Sequence, residues 1–485
     1  MAHKKQQWKL QYPLLWLLLL LAFCARMYRI NNPILDWHSF RQSDTASVTR
    51  EFVKKGITPL VPTYQDHSNI QSGEDNPMGY RMVEFPLLNT ITAGIIVASQ
   101  NKLPLELTSR VVVVFFSLAM LYSLFFLVKD IYDKKTAYLS VLVLAIHPYT
   151  VFYSRAVLPE MLLLFCSITS LYFFYRGLQK TGTLWHWLVS AILLACAFLV
   201  KPFVIFTGLV YLAIWIQNDG KNWYKRVVLL PYLVIALTPI VLWRQWILQY
   251  PDGIPASDWL FNGNHIRFRP SWFRWLGYER MIKMFLGFVG VIPFFAGVFG
   301  QTKKQFVITA AWWTGVVAYF TVIATGNVQH DYYQIMVMPI FAITVSFGLR
   351  NMQLWLSKKT TQPVSYLIPL VILLTACIGS WRYVGGFFSV NHWEYAKTGK
   401  IVDELVPSDA KVIAPAFGDT SFLFQTNRTG WPIGFEIEDK IDKGATHYVT
   451  TAYDDEAKEL AKKYFILSQT EQYILLDLTR PKLEK

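Results

Sequence analysis

From residue 10 to about 382, apolar runs alternate with short polar breaks, several near the roughly 20 residues a helix needs to cross a bilayer. The pattern predicts spans at 10–29, 107–128, 137–153, 158–175, 184–200, 202–217, 227–246, 282–300, 305–325, 334–350 and 364–382. That is a polytopic α-helical membrane protein of about eleven transmembrane helices. The loops fix their direction. Lys4, Lys5 and Lys9 precede the first span, and Lys129, Lys134 and Lys135 follow the second. Arg176 and Lys180, then Lys221, Lys225 and Arg226, then Lys303 and Lys304, then Arg350, Lys358 and Lys359 occupy every alternate loop after that. The positive-inside rule puts these loops and the N-terminus in the cytoplasm, and a missed or invented span would break the alternation. The first run, "YPLLWLLLLLAFCA", has no small-residue cleavage pattern after it and reads as a retained span.

The opposite face receives a long first loop at about 30–106, a loop at about 247–281, "TGNVQHDYYQ" at 325–334, and a tail of about 100 residues. Within the first loop, "RMVEFPLLNTITAGIIVASQ" (81–100) is apolar but starts with Glu84 and Pro86. It reads as an interfacial helix, because a crossing there would reverse every later loop. Residues 64–79 read as a mobile, turn-rich segment. Past about 391 the pattern turns soluble: a helix in "TGKIVDELV", strands in "KVIAPAF", "ATHYVTTA" and "YILLDLT", and a charged amphipathic helix in "DDEAKELAKKY". The chain therefore divides into a membrane part, 1–390, and an extracytoplasmic α/β accessory domain, 391–485.

Composition agrees: 53% of the 485 residues are hydrophobic, 16% aromatic and only 16% charged, too greasy for a soluble chain of this length. The net charge of +14 is spent in the cytoplasmic loops and forms no basic stripe interleaved with aromatics, which excludes nucleic acid as the partner. Cys24, Cys166, Cys196 and Cys377 lie in or beside apolar runs with no CxxC pair, so they read as packing residues, neither disulfides nor a zinc site.

Mixed polar chemistry gathers on the outer face. In "DWHSFRQSDTA" (36–46), Arg41 and Asp44 share a helical face, which is equally the pattern of a surface ion pair. Asp36 has the place of a helix cap and His38 that of a structural hydrogen bond. "YSRAVLPEM" sets Arg155 and Glu160 at the outer start of a span; Pro159 and the acid are ordinary helix-start chemistry, but a cation there opposes the dipole unless an anion also binds. Lys201 stands beside Pro202 inside an apolar run, where an ionisable residue is a functional candidate and snorkelling the alternative. "QHDYYQIMVMP" adds His330, Asp331, Tyr332 and Tyr333 at the top of another span. The face thus offers a carboxylate that can act as a base and cations that can hold a phosphate at the membrane surface.

"FRQSDTA", "EFPLLN", "YSRAVLPEMLLLF", "LVKPF" and "HDYYQIMVMP", in this order, resemble the polyprenyl-phosphate-dependent glycosyltransferases of the GT-C superfamily. The branch is the one related to dolichyl-phosphate-mannose protein mannosyltransferases and lipid A aminoarabinose transferases. "GDTSFLFQTNRTGWPIG" is similar to the soluble C-terminal domain that many members carry. The resemblance implies inverting transfer of a sugar from a polyprenyl-phosphate donor to an acceptor (protein, lipid or cell-wall glycan) at the outer face of the cell membrane. It implies Asp44 as general base and Lys201, Arg155 and Arg41 around the donor phosphate. Glu84, Glu160, His330, Asp331 and Tyr332 would position donor or acceptor, with Glu160 alternatively helping to hold a divalent metal ion. Relatives often carry an acidic pair in the first loop and a basic residue before the proline of the next motif; here the first loop offers Asp44 alone, and the second motif is acidic at Glu84. The rival class is a transporter or flippase of a lipid-linked or small polar substrate. Against it stand the absence of an internal repeat and the clustering of polar motifs on one face.

Overall fold

The structure, a computed structural model, describes residues 12–482; the N-terminal lysines Lys4, Lys5 and Lys9 lie outside the described residues, as do the side chains of Lys221 and Lys225. Among the described residues, six helical segments are long and apolar enough to cross a membrane: Leu105–Ile131, Glu160–Leu178, Leu229–Ile247, Lys303–Val322, Asp331–Leu356 and Gln362–Leu405. Pro13–Arg26 and Leu184–Val200 are apolar but shorter. We label the first four helices α1 (Pro13–Arg26), α2 (Ser39–Lys55), α3 (Leu87–Ala98) and α4 (Leu105–Ile131). At 12 residues α3 is about 18 Å long, well short of a bilayer core.

Several of the expected spans are broken, each with a local cause. His147-Pro148 separates Lys134–Ile146 from Pro148–Tyr153, since a proline can start a helix but not continue one. Pro202 opens a tight turn of helix, Pro202–Thr207, before Gly208–Asp219 resumes the regular wind. Asp331–Val337 does the same before Met338–Leu356. Lys201 and Asp331 both stand at such breaks, where the backbone stops satisfying itself and a side chain can leave the helix axis. Packing between helices relies on small residues: a Cβ on Gly297 would meet the Thr344 carbonyl, and one on Gly348 the Pro293 carbonyl. Arg26, buried at the end of α1, donates to Ser117 Oγ on α4 (2.9 Å) and to the carbonyls of Ala22, Ala145 and Leu144 (2.9–3.3 Å), tying three helices together without an acid.

Near the C-terminus lies a five-stranded sheet of order β2-β1-β3-β5-β4, with β1 Lys411–Ile413, β2 Thr429–Trp431, β3 Ala445–Thr450, β4 Tyr464–Gln469 and β5 Ile474–Pro481. β1 runs parallel to β2 and β3, while β5 is antiparallel to β3 and β4. Alternation along the strands feeds two cores. Val412 and Leu475 pack with Val402, Val406, Phe422 and Leu423 on one face; Ile413, Ile474 and Leu476 pack with Trp431, Ile437, Ala457 and Leu460 on the other. Helices cover both faces, the α/β layering expected from the sequence.

The polar helix α2 is buried between this C-terminal domain and the helices α3 and α4, with every residue from Arg41 to Phe52 inside. Arg50 donates to the carbonyls of Phe424 (2.9 Å) and Arg428 (3.1 Å), and Lys54 to that of Asn427 (2.9 Å). The segment 64–79 is turn-rich as expected, but it is pinned rather than loose. His67 N donates to Gly430 O and Gly430 N to Gln65 O, both at 2.8 Å, so the loop pairs in parallel with the β2 edge. Only glycine serves at 430, where φ is +148° and a Cβ would collide with the Val412 carbonyl.

Candidate functional site

α2 presents Arg41, Asp44, Thr45 and Val48 on one stripe, at the i, i+3, i+4, i+7 spacing of a helix. With Arg81, Val83 and Glu84 from the following loop, this stripe lines a small cavity of about 10 Å³, room for about one water. Asp44 is buried and held from two sides. Arg81 (2.9 Å) and Gln71 Nε2 (3.1 Å) donate to Oδ2, and Thr420 Oγ1 donates to Oδ1 at 2.7 Å. A carboxylate offers about four acceptor positions, so these three donors leave one open on a residue that lines the cavity.

Arg41 and Asp44 share the face but are not partners. Arg41 NH2 donates to both oxygens of Glu84 at 2.7 Å. Burial opposes both charges, yet each is stabilised by its surroundings. Glu84, Tyr332, Glu160 and Asp44 keep the Arg41 guanidinium more firmly protonated than usual, and Arg41, Lys201 and Arg81 hold the Glu84 carboxyl below the usual carboxylate range. The Arg41–Glu84 pair thus lies electrically between Asp44 and Lys201.

Lys201 leaves its broken helix to pair with Glu160, its ammonium 5.2 and 4.8 Å from the ring centres of Tyr332 and Tyr333. The other Glu160 oxygen is buried without a hydrogen-bond partner. Asp331 gathers His38 Nε2 (2.7 Å), Trp37 Nε1 (3.1 Å), the Tyr153 hydroxyl and, at 3.5 Å, Arg280. His330 stacks on Tyr332 (centroids 5.4 Å). Burial first, then His38, push its imidazole down to about 4, with Lys201 and Arg41 adding to them against an opposing pull from Asp331, so it is neutral near pH 7. The structure therefore brings Arg41, Asp44, Glu84, Glu160, Lys201, His330, Asp331 and Tyr332 into one connected group. Arg155 stands apart from Lys201: with no exposed surface, it donates to Asp36 (2.6 Å), which also takes Arg110 (3.1 Å), and to the Arg29 carbonyl (2.7 Å). Asp36 is thus the anion that Arg155 requires.

Three groups around Asp44 had not been singled out: Arg81, Gln71 and the buried Asp66. The one signal was "RMVE", where Arg81 stands three residues before Glu84. Asp66 accepts from Ser68 N at 2.8 Å, and burial pushes its carboxyl up to about 7. An unfolded aspartate titrates near about 3.9. Between these values the native state holds a proton that the unfolded chain has released, so stability falls as pH rises from about 4 to about 7. Asp66→Asn should remove that part of the slope: the drop in thermal midpoint in detergent between pH 5 and pH 8 becomes smaller than in the wild type.

Among the described residues no three His, Cys, Asp or Glu side chains converge as metal ligands, and Glu160 is neutralised by Lys201. This donor set does not fit a divalent cation at Glu160.

Residues 92–246 match the family described as dolichyl-phosphate-mannose-protein mannosyltransferase. No curated protein sequence matches the chain. Among solved structures, ArnT from Cupriavidus metallidurans bound to undecaprenyl phosphate is similar at 11% identity over 96% of this chain and 98% of that one, with a TM-score of 0.69. The archaeal oligosaccharyltransferase AglB from Archaeoglobus fulgidus, in complex with an inhibitory peptide and a dolichol-phosphate, is similar at 11% identity, covering 93% of this chain and 72% of that one, TM-score 0.58. The arabinofuranosyltransferase AftD from Mycobacteria is similar at 10% identity over 91% of this chain and 35% of that one, TM-score 0.57.

Proposed function

We infer that this chain, which has the fold of the GT-C glycosyltransferases as the motifs implied, transfers a sugar from polyprenyl phosphate to an acceptor hydroxyl with inversion. It crosses the cell membrane about eleven times with its N-terminus in the cytoplasm, and its site and the domain 391–485 lie outside. Asp44 is the base. Its free acceptor position takes the proton of the attacking hydroxyl while the new bond forms at the anomeric carbon. The bond from that carbon to phosphate breaks on the opposite face, and polyprenyl phosphate leaves with the electron pair. Such a leaving group needs charge stabilisation rather than a proton. Lys201 supplies it, with Arg41 beside it, while Glu84 and Glu160 hold those two cations in place. His330 and Tyr332 form the wall against which the sugar is positioned, and Asp331 fixes the segment that carries them.

The observation that carries this reading is the row Asp44, Arg41–Glu84, Lys201–Glu160 ending beside an apolar groove. That groove, of about 600 Å³, is lined by Phe85, Leu199, Pro239, Trp243 and Trp246, and Phe85 and Leu199 are close in sequence to Glu84 and Lys201. A lipid-linked donor needs such a neighbour for its chain; a water-soluble one does not.

The test uses purified protein in liposomes with a mixed pool of polyprenyl-phosphate sugars and a membrane extract as acceptor, following free polyprenyl phosphate by mass spectrometry. Release that depends on Asp44 is expected, and the donor that disappears names the sugar. Labelled donor crossing the bilayer with no release would replace this reading with transport.

A further inference from the structure

The C-terminal domain reaches into the catalytic centre. Thr420 lies 376 positions from Asp44 in sequence, yet its hydroxyl is 2.7 Å from Asp44 Oδ1. Both side chains are buried. The nearest other acceptor for that hydroxyl is the Phe40 carbonyl at 3.3 Å. With one proton to give, the shorter and charge-assisted bond to the carboxylate takes it.

The turn that delivers Thr420 is specified residue by residue. Gly418 has φ +85°, a conformation closed to most side chains, and a Cβ there would sit 3.0 Å from Ile70 of the first loop. Asp419 then accepts from Ser421 N at 2.8 Å, closing the turn and directing the next side chain toward α2. Below it the domain is fastened by Arg50 to the Phe424 and Arg428 carbonyls, and by the bridge between Asp66 and Gly430.

We propose that Thr420 is a positioning residue for the transfer reaction: its hydroxyl fixes the orientation of the Asp44 carboxylate from the side opposite Arg81, so that the soluble domain completes the active site. With Oδ1 held by Thr420 and Oδ2 by Arg81 and Gln71, the carboxylate is fixed about its last bond, and its open acceptor position is fixed with it. Freed on one side, it swings and presents that position to the acceptor only part of the time, and misplacement by about 1 Å costs on the order of a hundredfold in rate. The role rests on the reading of Asp44 as base.

The experiment measures polyprenyl phosphate release by the full chain, in the same liposomes, for wild type, Asp44→Asn, Thr420→Val and Thr420→Ser. Hydrogen exchange at the His67 and Gly430 amides, which bond across the domain junction, reports docking. Thr420→Val is expected to lower the maximal rate about ten- to hundredfold, to leave the half-saturating donor concentration unchanged and to keep both amides protected. Thr420→Ser should restore the rate to within about threefold of wild type, since it still donates. Two results overturn the proposal: a Thr420→Val rate within about twofold of wild type, or a loss of rate that appears only together with loss of amide protection. No release by wild type, or full release by Asp44→Asn, would instead sink the base assignment itself.

Discussion

Asp44→Asn should lower polyprenyl phosphate release by about 10²- to 10⁴-fold, the range a positioned general base contributes, while donor binding stays close to wild type. The substitution keeps size and shape but removes the lone pair that would take the acceptor proton. It also sets an amide N–H₂ against donors, because Thr420 and Arg81 approach the two oxygens from opposite sides. Arg81 can only donate, so the amide nitrogen faces Thr420, whose hydroxyl can accept from it and give its own proton to the Phe40 carbonyl. Some loss of stability follows, since Arg81 is buried and loses its carboxylate partner. The thermal midpoint therefore has to be read beside the rate. A folded variant that binds donor and does not turn it over assigns the proton transfer to Asp44. A folded variant that retains more than about a tenth of the rate assigns the base elsewhere, and Glu160, with its unpartnered oxygen, is then the next carboxylate to test.

The long helices were legible because a bilayer imposes length and apolarity directly on the sequence. The break at Pro202 was legible too, whereas Pro148 and Pro339 stand at helix starts that fall inside the spans expected at 137–153 and 334–350. α2 was legible as a helix but misread in its surroundings. Its charges suggest a helix lying on the surface, whereas it is enclosed by α3 and α4 on one side and the C-terminal domain on the other. Polarity alone cannot separate a solvated face from one that meets another polar surface.

The same limit governs the pairings. Arg41 stands three residues from Asp44 and bonds Glu84, 43 positions away. Asp44 is met by Arg81, which opens the apolar stretch 81–100, and by Thr420 of "GDTSFLFQTNRTGWPIG", and no spacing marks either as its partner. Spacing along a helix says which side chains share a face; which of them find each other depends on loops whose approach no periodicity encodes. In the C-terminal sheet β1, β3 and β5 announced themselves as short apolar runs. β2 is three residues, "TGW", defined by its neighbours rather than by its own composition, and β4 in "YFILSQ" follows its helix without a turn signal.

Lys201→Met tests the other end of the site, and two separate losses are expected from it. Glu160 would be left buried with neither of its oxygens paired, and breaking a buried pair from one side costs about 3–5 kcal/mol, visible as a lower thermal midpoint in detergent. Transfer should fall by about 10²- to 10³-fold, the cost of removing one charge-stabilising donor from a preorganised site. The double variant Lys201→Met with Glu160→Gln separates the two effects. Removing both charges takes away the uncompensated carboxylate, so stability should return most of the way toward wild type, because the two residues are coupled through a single pair. Activity should not return, because the leaving phosphate still lacks its cation. Recovery of stability without release places Lys201 at the donor phosphate. Recovery of both would confine the Lys201–Glu160 pair to holding the helix break at Pro202 together, and the negative charge of the leaving group would then fall to Arg41.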